Sequence, residues 1–267
     1  MGARANGTAI PARGFSPGEM MVAAASREIR PGEVVFVGMR LPLLAFLVAR
    51  GGGAPGAVGV FENGLVRVTA AERGFTTMGD PPNVHGALMA GPMSRAMDLL
   101  QGGRVSLGLV GGAEVDAWGN VNTVRVGAGV RLPGSGGAAD IASLAGRLVV
   151  VMRHEPRRFV ERVAHLTSPG FGSGGDWRAR SGLPGGGPAA VITDLCVLRF
   201  DPMSRRAVVA SLHEGATMDL VSRRTGFALE CAPDAGTTPP PTAAELALIR
   251  QYDPGGFWTG ERSAEEK

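Results

Sequence analysis

One carboxylate stands where an apolar run breaks into a turn: residues Ala57 to Gly64 read AVGVFENG, and Glu62 is the only charged residue among them. A short apolar, β-branched run flanked by glycines predicts a buried strand of a parallel sheet, and in open α/β sheets ligands lie beyond the carboxyl ends of the strands. Glu62 is therefore placed where chemistry usually happens. The same carboxylate could instead cap its turn or pair with an arginine such as Arg67, and its position alone leaves both readings open.

Three glycine-rich segments accompany it, each after a predicted strand. They are Gly38-Met39-Arg40-Leu41-Pro42, the stretch from Gly111 to Asn120, and Gly134-Ser135-Gly136-Gly137-Ala138-Ala139-Asp140. Glycines let backbone N–H groups approach a ligand, and the third segment opens directly into a predicted helix, whose N-terminus favours negative charge. That turn suits an oxyanion or a phosphate. As bare patterns, Gly134-x-Gly136-x-x-Ala139 and Gly170-x-Gly172-x-x-Gly175 also match a dinucleotide fingerprint. The first lacks the acidic residue that should end the next strand, which closes on Val151 and Met152, and the second lies in a loop. His85, His154, His165 and His213 never pair at a helical i, i+4 spacing, and neither Ser135 nor Ser173 fits a G-x-S-x-G elbow. Surface or core roles suit these histidines. Lys267 is the only lysine, so P-loop and Schiff-base lysine chemistry fall away together.

Regular elements must position these groups. Ser16-Pro17-Gly18-Glu19 is a capping box with proline at the first helical position, which predicts a helix to about Arg30, ended by Pro31-Gly32. A strand from Glu33 to Gly38, a helix from Leu41 to Arg50 and a strand from Ala57 to Phe61 form a unit that implies parallel pairing. The alternation continues with a helix from Gly91 to Gln101, a strand from Val105 to Val110, a helix from Ala138 to Leu144 and a strand from Leu148 to Met152. From Thr167 to Pro188 the chain has no periodicity and reads as a long loop. Strands follow at Ala189 to Thr193, Leu195 to Phe200 and Val208 to Leu212, then a short helix from Met218 to Arg224. A second capping box, Thr242-Ala243-Ala244-Glu245, begins a last helix that runs to about Arg250. The expected fold is α/β, three layers in the order α/β/α around a mainly parallel open sheet. It should form one domain over residues 1–267, with frayed termini at about 1–14 and 255–267.

Composition bounds the function. With 44% hydrophobic residues the 267-residue chain can bury a full core. Two cysteines, Cys196 and Cys231, make no disulfide framework, no stretch resembles a signal peptide, and no apolar run approaches the ~20 residues of a membrane helix. A cytoplasmic protein with no membrane association is expected. The net charge is only +3, the arginines are scattered and aromatics are 5% of the chain, which argues against nucleic acid as a partner.

Five motifs, VFENGLV, LVGGAEVDAWGNVNT, LPGSGGAADIASLAG, MRHEPRRFVERV with TSPGF, and GLPGGGPAAVITDL, occur in this order between about Ser16 and Pro254. Together they resemble the β subunits of family I CoA-transferases, in particular the glutaconate CoA-transferase β subunit. The resemblance implies a CoA-transferase-like fold and a heteromer with a homologous α subunit, with the active site at their interface. It implies coenzyme A as substrate and no permanently bound cofactor or metal. Glu62 of the E-x-G motif would be the nucleophile, attacking an acyl-CoA to reach a glutamyl-CoA thioester that a second carboxylic acid opens. Gly134, Gly136 and Gly137 would bind the oxyanion and CoA, and Asn63 and Gly64 would shape the turn that exposes Glu62. Glu114 stands where relatives more often carry glutamine, whose amide can donate to an acyl oxygen. A carboxylate could do so only when protonated, and otherwise adds a negative charge near Glu62. Hydrolysis or decarboxylation of an acyl-CoA, or a non-catalytic partner role, are alternatives on the same scaffold. Arg40 or Arg67 could pair with the second carboxylate of a dicarboxylic substrate, or be an ordinary surface or structural arginine.

Overall fold

Ser16 opens the first helix as its motif predicts: its hydroxyl accepts the Glu19 N–H at 3.1 Å, and the Glu19 carboxylate accepts the Ser16 N–H at 2.7 Å. The structure, a computed structural model, describes residues 14–126, 130–132 and 134–260. The first part of the chain forms α1 (Pro17–Ser26), β1 (Val34–Val37), α2 (Leu41–Gly51), β2 (Val58–Val60), β3 (Leu65–Arg67), α3 (Pro81–Val84), β4 (Met89–Ala90), α4 (Met93–Gln101) and β5 (Leu107–Val110). Then come β6 (Glu114–Val115), β7 (Val121–Asn122), β8 (Arg125–Val126), β9 (Val130–Arg131), α5 (Ala138–Leu144), β10 (Arg147–Val151) and α6 (Trp177–Arg180). The chain closes with β11 (Pro188–Ile192), β12 (Cys196–Phe200), β13 (Ala207–Leu212), α7 (Met218–Arg223), β14 (Glu230–Thr237) and α8 (Ala243–Tyr252).

Among the described residues ten strands share one sheet, in the order β14-β13-β12-β11-β10-β5-β1-β2-β3-β4. Its five central strands, from β11 to β2, are mutually parallel, as the strand–helix alternation requires. Antiparallel pairs extend both flanks, β12 and β13 on one side and β3 and β4 on the other. The sheet is thus open and mainly parallel at its core. β3, β4 and β14 have no counterpart in the sequence reading: the first two are too short to show a period, and β14 is an exposed edge strand, ECAPDAGT, with few apolar residues.

Two cores fill the faces of the sheet. Met21, Val22, Phe46, Leu47 and Ile249 bring α1, α2 and α8 onto one face. Leu100, Ile141, Phe159 and Val221 bring α4, α5 and α7 onto the other, giving three layers. Ion pairs Arg250–Glu19 and Arg27–Glu245, each 2.7 Å, tie α8 to α1. Residues 255–260, expected to fray, pack instead. Thr259 is buried, and Asp253 Oδ2 accepts the N–H groups of Trp258 and Thr259 and the Thr259 hydroxyl. A Cβ on Gly18 would stand 2.1 Å from Thr259 O, so this segment lies directly on α1. The remaining expected frayed residues, 1–13 and 261–267, lie outside the described residues. Among the described residues no helix is long and apolar enough to cross a membrane.

Candidate active site

β2 delivers Glu62 into a tight hairpin to β3. The Gly64 N–H donates to Phe61 O and the Phe61 N–H to Leu65 O, both at 2.9 Å, so Glu62 and Asn63 form the tip. Gly64 has φ +91°, and a Cβ there would stand 2.1 Å from Gly91 O, so only glycine fits. Asn63 takes no positive φ; its amide donates to Met78 O at 3.0 Å and its side-chain oxygen accepts the Leu65 N–H at 3.4 Å. The unusual backbone of the Asn-Gly turn therefore falls on the glycine alone. Glu62 itself is half-buried.

Its carboxylate rests on the third glycine segment. The Gly137 N–H, at the N-cap of α5, donates to Glu62 Oε1 at 3.1 Å. Gly136 has φ +49°, and its missing Cβ would lie 3.1 Å and 3.2 Å from the two carboxylate oxygens. A Cβ on Gly137 would sit 3.0 Å from Met97 Cε and 3.5 Å from Glu62 Cδ. The backbone thus approaches the carboxylate as closely as only glycine permits, with an N–H aimed at one oxygen and the positive end of a helix behind it. Such a group can stabilise charge that develops on that oxygen. Gly134, at φ +109°, is one step removed: its N–H donates to Thr123 O at 3.2 Å.

Glu114 is buried in β6 opposite Asn122 of β7, and among the described residues no hydrogen bond joins it to Glu62. Its Oε2 accepts from Asn122 Nδ2 at 2.6 Å and from the Ala164 N–H at 3.4 Å. This oxygen is an acceptor in the structure. Its link to the glycine segment is indirect, because Asn122 precedes Thr123, whose carbonyl holds Gly134.

A cavity of about 530 Å³ opens along the same sheet edge, at the carboxyl ends of β1, β5, β10 and β11. Arg40, Arg153, Arg157, Arg158 and Arg224 line it against only two carboxylates, Glu155 and Asp194, and Glu62 on the neighbouring β2 is not part of its wall. Glu155 is held by Arg157 at 2.7 Å and Arg158 at 3.1 Å, and Asp194 Oδ1 accepts the His154 N–H at 2.6 Å. Arg40, Arg153 and Arg224 have no carboxylate partner among the described residues. The cavity is therefore a cationic basin that attracts anions.

Residues 18–224 match the family described as Coenzyme A transferase. The chain belongs to the coenzyme A transferase family. It is 39% identical over 244 residues to the B subunit of 3-oxoadipate CoA-transferase from Pseudomonas knackmussii, covering 90% of this chain and 94% of that one. The crystal structure of glutaconate coenzyme A-transferase from Acidaminococcus fermentans aligns with a TM-score of 0.84 at 31% identity, over 93% of this chain and 98% of that one. The decarboxylase AibA/AibB aligns with a TM-score of 0.76 at 26% identity, over 91% and 97% of the two chains. The resemblance read from the five motifs is borne out, and the protein is a β subunit of a family I CoA-transferase.

Several other candidates in this transferase chain serve packing. Arg67 is buried, and its guanidinium donates to the carbonyls of Thr69, Ala70, Pro82, Asn83 and His85, so it is structural and free for neither Glu62 nor a substrate. In the Gly170–Gly175 pattern, the Cβ that Gly172 lacks would fall 1.9 Å from the Trp177 ring. Asn120 of the second glycine segment accepts the N–H groups of Gly170 and Gly172 at 2.9 Å and 3.0 Å and thereby clamps the long loop. That loop also carries α6, whose buried Arg178 donates to Pro169 O and Gly170 O. His154 is fully buried, stacked on Phe159, and burial pulls its imidazole down to about 4. Among the described residues no cluster of His, Cys, Asp or Glu could hold a metal. The cationic basin went unread in the sequence because Arg40, Arg153, Arg224 and Trp258 come from distant segments. Only the run MRHEPRR gave a local sign of it.

Proposed function

We propose that this chain is the catalytic β subunit of a heteromeric CoA-transferase, moving CoA from an acyl-CoA to a short, glutaconate-like carboxylic acid through a thioester on Glu62. A Glu62 oxygen adds to the thioester carbonyl and CoA thiolate leaves, giving an acyl glutamyl anhydride. The thiolate then adds to Glu62 Cδ and expels the donor acid as its carboxylate. The acceptor acid runs the same two steps in reverse order and departs as its CoA thioester.

The observation that carries this reading is the Gly137 N–H donating to Glu62 Oε1 in a seat only glycines allow. When thiolate adds to Cδ, negative charge develops on a Glu62 oxygen, and this donor already points there. Gly136 and Gly137 are the oxyanion-binding residues, Gly134 and Gly64 hold the two backbones in place, Asn63 ties the turn to Met78 O, and Glu114 braces the β6–β7 hairpin through Asn122. A homologous α subunit completes the site. Its docking is supported by the relatives, which are named as B subunits of CoA-transferases, and by exposed Leu88 and Met93 on either side of the Gly64–Gly91 hydrogen bond. The relatives are named for 3-oxoadipate and glutaconate, both dicarboxylic acids, which supports an acid of that class here.

Trapping the α/β complex with acyl-CoA and hydroxylamine or borohydride, followed by peptide mass analysis, should modify Glu62; an unmodified Glu62 peptide in an active complex would refute this role. A decarboxylase reading has the likeness to AibA/AibB in its favour. Release of CO2 from an acyl-CoA, with no label passing to a second acid, would select it.

A further inference from the structure

β1 reaches α2 through only three residues, Gly38, Met39 and Arg40, and Pro42 already lies in the first helical turn. Gly38 is pressed against β5, where a Cβ would stand 2.7 Å from Leu109 O. The reversal falls on Arg40, with φ +67° and ψ −124°. Among the described residues Arg205 is the only other non-glycine residue at positive φ. A side chain is disfavoured in that conformation and glycine would be at ease in it. The side chain of Arg40 has one partner among the described residues, the Trp258 ring, and a ring contact alone leaves the charged head free to meet an anion. Its side chain does not cap α2 and makes no ion pair among the described residues, and its guanidinium lies 5.8 Å from the centre of the Trp258 ring at the wall of the cationic cavity. Strain retained at a cavity wall, beside Arg153 and Arg224 with no carboxylate partner, is what anion recognition would explain.

We propose that Arg40 is a specificity residue that grips an anionic group of a substrate, either the second carboxylate of a dicarboxylic acid or a phosphate of coenzyme A. This rests on the transferase reading above. β1 is paired directly with β2, so the turn that carries Arg40 and the turn that carries Glu62 leave neighbouring parallel strands.

The test uses the α/β complex with Arg40→Gly, which removes charge and strain together, and Arg40→Lys, which keeps both. Arg40→Gly should raise Tm by roughly 2–4 °C, because glycine relieves the backbone. It should also raise the KM of one substrate about 10- to 100-fold with kcat little changed, as expected for a lost charge-assisted hydrogen bond. Arg40→Lys should leave Tm unmoved and recover part of the affinity. Calorimetric titration with glutarate and with adenosine 3′,5′-bisphosphate distinguishes the two sources: whichever probe loses affinity in Arg40→Gly names the anion. A lower Tm in Arg40→Gly makes the arginine structural and overturns the proposal, as does unchanged binding of both probes. A native complex that exchanges no CoA with any acid overturns the transferase reading instead, and the titrations still decide Arg40.

Discussion

At Gly136 the space of the missing side chain faces the Glu62 carboxylate, 3.1 Å away, whereas at Gly172 it is filled by the indole of Trp177, 1.9 Å away. Both glycines have positive φ, and both sit in patterns that match the same fingerprint. In the first, close backbone approach leaves an N–H for a reactive group. In the second, the same freedom seats an aromatic ring, and Asn120 takes up the N–H groups of Gly170 and Gly172. Glycine content therefore signals close approach only; the neighbour that fills the gap decides between catalysis and packing.

Removing the carboxylate tests the open region most severely. Glu62→Ala should abolish CoA exchange between a labelled acyl-CoA and a free acid while leaving Tm near native; normal exchange would end the assignment. Adding one methyl at each glycine comes next. Gly136→Ala should lower kcat about 100-fold by displacing Glu62 from its donor, and its positive φ should cost only about 1 kcal/mol of stability. Gly172→Ala should destabilise by about 2–4 kcal/mol, through overpacking and φ strain, with kcat per folded molecule retained. If the two variants exchanged these phenotypes, the contrast would collapse.

What was legible in the sequence followed from local chemistry. Ser16 and Thr242 form the capping boxes their motifs predict, α5 starts directly after the glycine segment, and Glu62 stands at the end of its strand. The lost parts depend on neighbours far along the chain. Arg67 stayed open between a carboxylate partner and a structural role until five carbonyls, from the turn after β3 and from α3 and its C-cap, closed around it. β5 denies Gly38 a side chain and the turn puts Arg40 at positive φ, and no pattern in Gly38-Met39-Arg40-Leu41-Pro42 records either. The basin joins Arg40, Arg153, Arg224 and Trp258 only after the sheet has formed.

Buried titratable groups extend the contrast to pH. His154 is packed on Phe159, ring centres 3.9 Å apart, and its Nε2 lies 2.9 Å from Thr225 Oγ1. Burial lowers its pKa from 6.5 to about 4, so the unfolded chain takes up a proton that the folded chain refuses. Stability from this group is complete above pH 6.5, falls as the pH drops and reaches its full loss of about 3 kcal/mol below pH 4. Urea midpoints across that range should show the slope in the native protein and a shallower one in His154→Gln. An unchanged slope would mean that water reaches the ring.

The smallest effect is expected at Glu114, which separates bracing from chemistry. Its Oε2 accepts from Asn122 Nδ2 and the Ala164 N–H, and Glu114→Gln can keep that acceptor by turning its amide oxygen toward them. Stability should then change by less than about 1 kcal/mol, since a neutral acceptor replaces a charged one in the same geometry. Turnover should change only a few-fold, because no contact runs directly from Glu114 to the seat of Glu62. A rise in kcat well beyond that would mean that the new amide donates to the acyl oxygen, and would move Glu114 from the braced hairpin into the reacting region.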